Sequence, residues 1–189
     1  SLHDALPISF AGQEEKAKNY IERSGLLLPG ESMWIPKRPK FLRGKNGWTE
    51  TKSVLLPSYI LLTCENPWDF RDRLYSYPSD LKIHLIGRRT GFDLDKQQCD
   101  TFGQVSKEEQ SFIRMLCSEA SSGFKEGDRI RIISGPLVGQ EGIIKNVNRH
   151  KRTARIEMPF LGRTLEVWVA LEIMGRIDQD RKEKTDFAI

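Results

Sequence analysis

The segment that most constrains the fold lies near the C-terminal end of the chain, at residues 124–144. Basic and aliphatic residues alternate over residues 129–132, so one face of this segment is basic and the other is apolar. A turn follows at Gly135-Pro136, and two more glycines precede a second aliphatic stretch. This pattern is typical of a half-buried strand followed by a tight turn and a partner strand.

Two further segments, residues 155–158 and 164–169, also have the composition of strands. Four or five short strands in about fifty residues predict a closed SH3-like β-barrel, which leaves no exposed edge strand. The order of glycines, proline and basic residues in 124–144 resembles the KOW motif of transcription elongation factors and some ribosomal proteins. The resemblance implies a module that docks on RNA or on an RNA-handling machine.

Composition sets limits on the kind of protein. The chain has 189 residues and a net charge of +4, which allows one domain or two small ones and permits contact with nucleic acid. It contains no run of eighteen apolar residues, so we expect no membrane partner. The cysteines Cys64, Cys99 and Cys117 are odd in number and far apart, which favours reduced thiols and a cytoplasmic protein.

The small and polar residues 118–123 predict a flexible linker that divides the chain. Residues 10–117 before it have mixed α and β character, residues 124–175 form the predicted barrel, and residues 176–189 are a charged tail. The predicted fold class is therefore α+β. Within the first domain the patterns predict helices over 13–23, after Asn66-Pro67 and after Ser106–Glu109, and strands over 33–41, 54–63 and 83–86.

This order of elements resembles the NusG family. The segments that carry the resemblance are Gly12–Ala17, Leu56–Leu62, which looks like the family's Phe-Pro-Gly-Tyr strand, and residues 124–173. The resemblance implies a NusG-type α/β sandwich domain that binds bacterial RNA polymerase, joined to a KOW β-barrel. Residues 148–163 look closest to the LoaP-type specialised paralogs, which act as processive antiterminators.

The first nine residues depart from the family pattern. The family begins its first strand with aromatic and aliphatic residues, whereas Asp4 and Ala5 occupy that position here and Pro7 removes a backbone donor. Either this segment is foreign to the native gene product, or the sheet lacks a good first strand.

The resemblance also implies which residues contact the polymerase. An apolar patch on the sheet would bind the clamp helices, and a second contact would come from the helix after that strand. An exposed aromatic residue with a polar tip is a good interface anchor, although core packing and a solvated helix face are the alternatives. The matching positions on the strand are Tyr59 and Leu61, and we expect Phe10 and Trp34 to be their neighbours. The helix contact corresponds to Arg71, Asp72 and Arg73.

Two basic segments are candidates for nucleic-acid contact. The first is a predicted hairpin that turns at Lys45-Asn46-Gly47 and also carries Trp48, which could stack on a base. The second is a turn of the barrel. Edge protection by lysine and a solvated turn are the alternatives. Their cations and histidine are Lys37, Arg38, Lys40, Arg43, Lys45 and Lys52 in the hairpin and Arg149, His150, Lys151 and Arg152 in the turn.

The sequence contains no recognisable catalytic, metal-binding or cofactor motif, so we expect a non-enzymatic monomer without cofactors. The predicted function is processive antitermination at selected operons, with an RNA leader element or non-template DNA as the nucleic-acid partner. One alternative is a housekeeping factor that couples polymerase to Rho or the ribosome, although Leu161 replaces the aromatic residue used for that coupling. Another is an RNA-binding KOW protein related to ribosomal proteins.

Overall fold

The computed structural model describes residues 3–5, 7–8, 11–77, 83–85, 87–88, 101–102, 104–127 and 129–174. Phe10, Cys99 and the predicted tail lie outside the described residues. The helices are α1 (Glu14–Arg23), α2 (Pro67–Ser76) and α3 (Lys107–Ser118). The strands of the first domain are β1 (His3–Ala5), β2 (Pro7–Ile8), β3 (Ser32–Trp34), β4 (Lys37–Gly44), β5 (Gly47–Val54), β6 (Leu61–Cys64), β7 (His84–Leu85), β8 (Gly87–Arg88) and β9 (Thr101–Phe102). Those of the barrel are β10 (Ser121–Glu126), β11 (Arg129–Ser134), β12 (Ile144–Asn148), β13 (Thr153–Phe160) and β14 (Arg163–Met174).

Strand β6 organises the N-terminal domain. It lies between β1 and β3 and pairs with both in antiparallel register. Because side chains alternate along a strand, Leu62 and Cys64 face one side of the sheet and Leu61 faces the other. The first side is covered by α1 and α2, whose Ile21 and Phe70 are fully buried in the same core. The opposite side is therefore left for α3 and the barrel.

Local signals in the sequence set the starts of two helices, as predicted. The Asn66 side chain accepts hydrogen bonds from the backbone N–H groups of Trp68 (3.0 Å) and Asp69 (3.4 Å), and proline occupies the first helical position of α2. Ser106 and Glu109 form a reciprocal capping box at the start of α3, with distances of 3.1 and 2.8 Å.

The N-terminal segment pairs with the sheet despite its unusual composition. β1 lies beside β6, and Pro7 and Ile8 pair with β7. Proline at the start of a short strand is tolerated because it removes only one donor. Of the two alternatives for this segment, a sheet without a first strand is thus not what the structure shows.

The central strand predicted over residues 54–63, with an interruption at Pro57, begins later than predicted. Val54 ends β5, a turn occupies residues 55–60, and only then does β6 begin. Pro57 cannot donate to a strand, and Ser58 adopts a left-handed backbone conformation with φ of +74°. The strand predicted over residues 33–41 is likewise divided into β3 and β4.

Ser58→Gly should stabilise the protein. Ser58 stands where the NusG pattern has glycine, and its φ of +74° is unfavourable for a residue with a Cβ atom. Glycine removes that strain but gains freedom in the unfolded chain, so we expect a net increase of about 0.5–1 kcal/mol in the free energy of unfolding. Urea denaturation of the two proteins measures this difference in the free energy of unfolding. Ser24→Gly, at a φ of −77°, is the control and should not stabilise; an equal gain there would contradict the explanation.

The C-terminal domain contains five strands, in agreement with the predicted KOW barrel, and they are hydrogen-bonded in the order β11-β10-β14-β13-β12. β10 is antiparallel to β11 and parallel to β14. A Cβ atom on Gly123 would lie 2.4 Å from the Arg131 carbonyl oxygen, so only glycine permits this approach. Gly135, with φ of +87°, leaves similar room for the backbone of Ala120.

The structure corrects the extent of the predicted linker. Ser118 still belongs to α3, and β10 already begins at Ser121, which is buried. The Ser121 hydroxyl accepts a hydrogen bond of 3.0 Å from the Leu137 backbone N–H, which fixes the start of the strand. Only residues 119 and 120 separate α3 from β10.

Candidate functional site

A second hydrophobic core joins the two domains. It contains Leu56 and Leu61 from the N-terminal domain, Leu116 from α3, and Ile156 and Phe160 from the barrel. Each of these side chains is at most 2% exposed. The barrel therefore packs against the side of the sheet that α1 and α2 leave uncovered.

Tyr59 lies at the centre of this domain contact. Its ring meets Phe160 edge to face with 5.5 Å between centroids, and its hydroxyl accepts a hydrogen bond from Arg163. Close by, the Glu109 carboxylate accepts a hydrogen bond of 2.8 Å from the backbone N–H of Leu161. The turn between β13 and β14 thus holds the barrel against the N-terminal domain.

We refer to the surface formed by Trp34, Tyr59 and Leu61 as the docking face. Leu61 is 1% exposed, and Trp34 is partly buried beneath the Arg114 guanidinium, 4.8 Å from its ring centroid. The Trp34 indole N–H is buried and has no hydrogen-bond partner within the described residues. In this arrangement the docking face is covered by α3 and the barrel.

The α2 residues predicted as a second contact lie on the opposite side of the sheet. Arg73 donates to the Leu26 carbonyl and pairs with Glu31 at 2.7 Å, so it braces α2 against the loop before β3. Arg71 pairs with Asp72 at 2.9 Å and stacks on Trp68. Of the three predicted residues, Arg73 has the contacts of a structural residue, and Arg71 and Asp72 remain at the surface.

The basic hairpin β4–β5 contains two kinds of cation. Arg38 is buried and donates to the Pro39 carbonyl, and burial lowers its pKa. Lys37 pairs with Glu15, and Lys52 donates to the carbonyl of Cys117 at 3.1 Å. By contrast, the cations that are exposed near the turn of the hairpin are Lys40, Arg43 and Lys45.

The predicted basic turn of the barrel likewise contains both exposed and partly buried residues. Arg149, His150 and Lys151 are exposed, whereas Arg152 is partly buried and pairs with Glu172 at 2.9 Å. The Arg152 guanidinium also stacks on two rings of the hairpin, 4.2 Å from the centroid of Trp48 and 5.5 Å from that of Phe41. Arg152 therefore joins the barrel to the hairpin across the domain boundary.

These contacts leave a groove between the hairpin and the barrel, with a volume of about 630 Å³. None of its lining residues in the described part of the chain is acidic. Its hairpin wall includes Lys40, Phe41, Arg43 and Trp48, and its barrel wall includes His150, Lys151 and Trp168.

Sequence reasoning missed Trp168 and Phe41 as members of this groove. The signal for Trp168 was present, because Val167 and Val169 are buried while Trp168, between them, is 43% exposed. Phe41 sits on β4 opposite Glu50 and gave no comparable signal. The pairing of the two walls depends on contacts more than a hundred residues apart, which no local pattern encodes.

No cluster of three or more metal-ligating side chains occurs within the ranges that the structure describes. In the same ranges, no helix is long and apolar enough to cross a membrane.

Known proteins share the architecture described here. Residues 126–158 match the KOW motif. A solved structure described as domain interaction in Thermotoga maritima NusG is similar to this chain, with a TM-score of 0.53 and 21% sequence identity over 91% of this chain and 94% of that one. No curated protein matches the sequence. The chain thus has the fold of NusG and carries a KOW motif in its barrel.

Proposed function

We propose that this protein is a bacterial, cytoplasmic transcription elongation factor that binds RNA polymerase and promotes processive antitermination at selected operons. The observation that carries the proposal is the combination of a NusG fold over 91% of the chain with a KOW motif at residues 126–158. The protein would act without chemistry, by stabilising the polymerase conformation that elongates.

The docking face would supply the polymerase contact. Tyr59 offers an aromatic ring and a hydroxyl, and Leu61 and Trp34 extend the apolar surface beside it. Since the barrel covers this face, polymerase reaches it only when the barrel moves away. Binding would then select an open arrangement of the two domains.

Nucleic acid would recruit the factor to its operons. Exposed cations of the hairpin and of the barrel turn support this, because phosphate contacts position a protein on nucleic acid. The LoaP-type resemblance of residues 148–163 supports antitermination as the outcome. The housekeeping alternative is less well supported, because Leu161 stands where the resemblance has the aromatic residue used for coupling to Rho or the ribosome.

Transcription by a bacterial polymerase through an intrinsic terminator tests the proposal. With the candidate leader in the template, we expect read-through to rise at least severalfold when the protein is added, because a recruited factor disfavours pausing. Polymerase binding is measured in parallel by co-migration on gel filtration. A template with a scrambled leader is the control and should show no increase.

Three results would revise the proposal. Unchanged termination despite polymerase binding, together with binding to Rho or a ribosomal protein, would favour the housekeeping alternative. RNA binding without polymerase binding would favour the relation to ribosomal proteins. Equal read-through on both templates would remove the recruiting leader from the mechanism.

A further inference from the structure

We propose that the groove between the hairpin and the barrel is one composite binding site for a single strand of RNA or DNA. In the sequence, the hairpin and the barrel turn are two separate basic segments. In the structure their side chains face a common space of about 630 Å³, within the range of roughly 300–1,000 Å³ typical of ligand sites. The inference rests on the recruitment part of the proposed function. It names where the strand binds before the barrel moves away from the docking face.

The charge of the groove suits a phosphodiester backbone. Lys40 and Arg43 line one wall and Lys151 lines the other, and all three are exposed. Since none of the described lining residues is acidic, no carboxylate opposes these cations within the groove. A strand that passes between the walls would contact cations of both domains.

The aromatic residues of the groove distinguish a single strand from a duplex. Trp48 is 37% exposed and Trp168 is 43% exposed, so both rings have surface available to a ligand. Nucleobases stack on such rings in a sequence-tolerant way, but only when they are not already stacked and paired in a duplex. Cations alone would attract either form; the two tryptophans favour the unpaired one.

Arg152 acts as a positioning residue for this site. Arg152 belongs to the barrel turn, but its guanidinium packs on Trp48 and Phe41 of the hairpin. A salt bridge to Glu172 of β14 holds the guanidinium in this position. It therefore holds the two walls at their observed separation. Loss of Arg152 should weaken binding by separating the walls, in addition to the loss of its charge.

Fluorescence anisotropy with the full chain tests the site. The probes are labelled twelve-nucleotide RNA and DNA strands of one mixed sequence and the corresponding duplex. We expect one strand per protein and tighter binding of a single strand than of the duplex. Trp168→Ala should bind about tenfold more weakly, because one base loses its stacking partner. Trp168→Phe should retain most of the affinity.

Charge variants test the walls together. Lys40→Ala and Lys151→Ala should each reduce the salt dependence of binding by about 0.7 in log–log slope. Arg152→Ala should lose more affinity than Arg152→Lys at equal salt. Lys125→Ala on β10 and Tyr75→Ala on α2 are matched controls, because both side chains are exposed and lie outside the groove. They should leave the affinity unchanged, and thermal melting verifies that each variant is folded.

Several results would overturn the inference. These are no binding of either strand, a stoichiometry of two, equal affinity for the duplex, or equal losses in the control variants. Displacement of the strand by an acidic peptide at the same concentration of negative charge would also overturn it, because charge alone would then explain the binding.

The groove and the polymerase contact are tested separately, because binding to polymerase is measured without nucleic acid. A negative result for one of them leaves the other proposal unaffected. Preference for RNA or for DNA identifies the source of the strand, and either preference supports the site.

Discussion

Removing two hydrogen bonds at the domain contact should raise the affinity for RNA polymerase about tenfold. Glu109→Ala removes the acceptor of the Leu161 N–H, and Arg163→Ala removes the donor to Tyr59. A hydrogen bond that involves a charged group contributes about 1.5–3 kcal/mol, less at exposed positions. A combined loss of about 1.4 kcal/mol would make the open arrangement tenfold more populated. If polymerase binds only that arrangement, its apparent affinity rises by the same factor.

The double variant is compared with Ser106→Ala in a polymerase-binding titration. Glu109 also belongs to the capping box of α3, and Ser106→Ala breaks that box without touching the Leu161 contact. We expect Ser106→Ala to bind polymerase as the unchanged protein does. Tyr59→Ala should bind weakly although it also loosens the barrel, since it removes the proposed anchor. An unchanged affinity in the double variant would mean that the barrel does not limit access to the docking face.

Glu14→Ala should destabilise the fold by about 2–4 kcal/mol. The Glu14 residue is 3% exposed, and its carboxylate accepts hydrogen bonds from the backbone N–H groups of Gly12 (3.0 Å) and Ser58 (2.7 Å). Alanine removes the charged acceptor of both bonds; such a bond contributes about 1.5–3 kcal/mol, less where the donor is partly exposed, as both donors are here. Urea denaturation measures the loss. Glu15→Ala, which removes an exposed carboxylate, should change stability by less than about 0.5 kcal/mol.

The contribution of Glu14 to the free energy of unfolding should depend on pH. Burial alone would raise the pKa of Glu14, but the hydrogen bonds from the backbone, Ser58 first, outweigh it and leave the pKa below its ordinary value. A carboxyl group with a depressed pKa stabilises the fold at pH values above the ordinary value of about 4.3 and loses that contribution as the pH falls further. The stability difference between Glu14→Ala and the unchanged protein should therefore shrink below about pH 4. A difference that grew on acidification would show that Glu14 is not ionised in the fold.

Features that depend on neighbours in sequence were predicted well. The Asn66 cap and the Ser106–Glu109 capping box each involve groups within three residues, so their geometry follows from local chemistry. Strand alternation gave the barrel for the same reason. The extent of the turn around Ser58 was missed because serine rarely adopts a left-handed backbone conformation, and its N–H group is bound by Glu14, which is 44 residues away.

The candidate site was only partly predictable for a related reason. Residue type identified Lys40, Arg43 and Lys151 as candidates, but it did not separate them from Arg152, whose partner Trp48 belongs to the other domain. Likewise, the family resemblance implied that Tyr59 is an interface residue, without indicating that it contacts the barrel here. Long-range packing decides which cations face solvent and which serve as links.

The short junction between α3 and β10 has a consequence for how the protein responds to its surroundings. With only residues 119 and 120 between the two elements, the ends at Ser118 and Ser121 are never more than about 11 Å apart. The barrel is thus an intramolecular ligand, and short tethers give effective concentrations in the millimolar range. Dilution cannot release it, so the balance between covered and uncovered states is independent of how much of the protein a cell contains. If polymerase and nucleic acid bind as proposed, we expect them, and not dilution, to release the barrel.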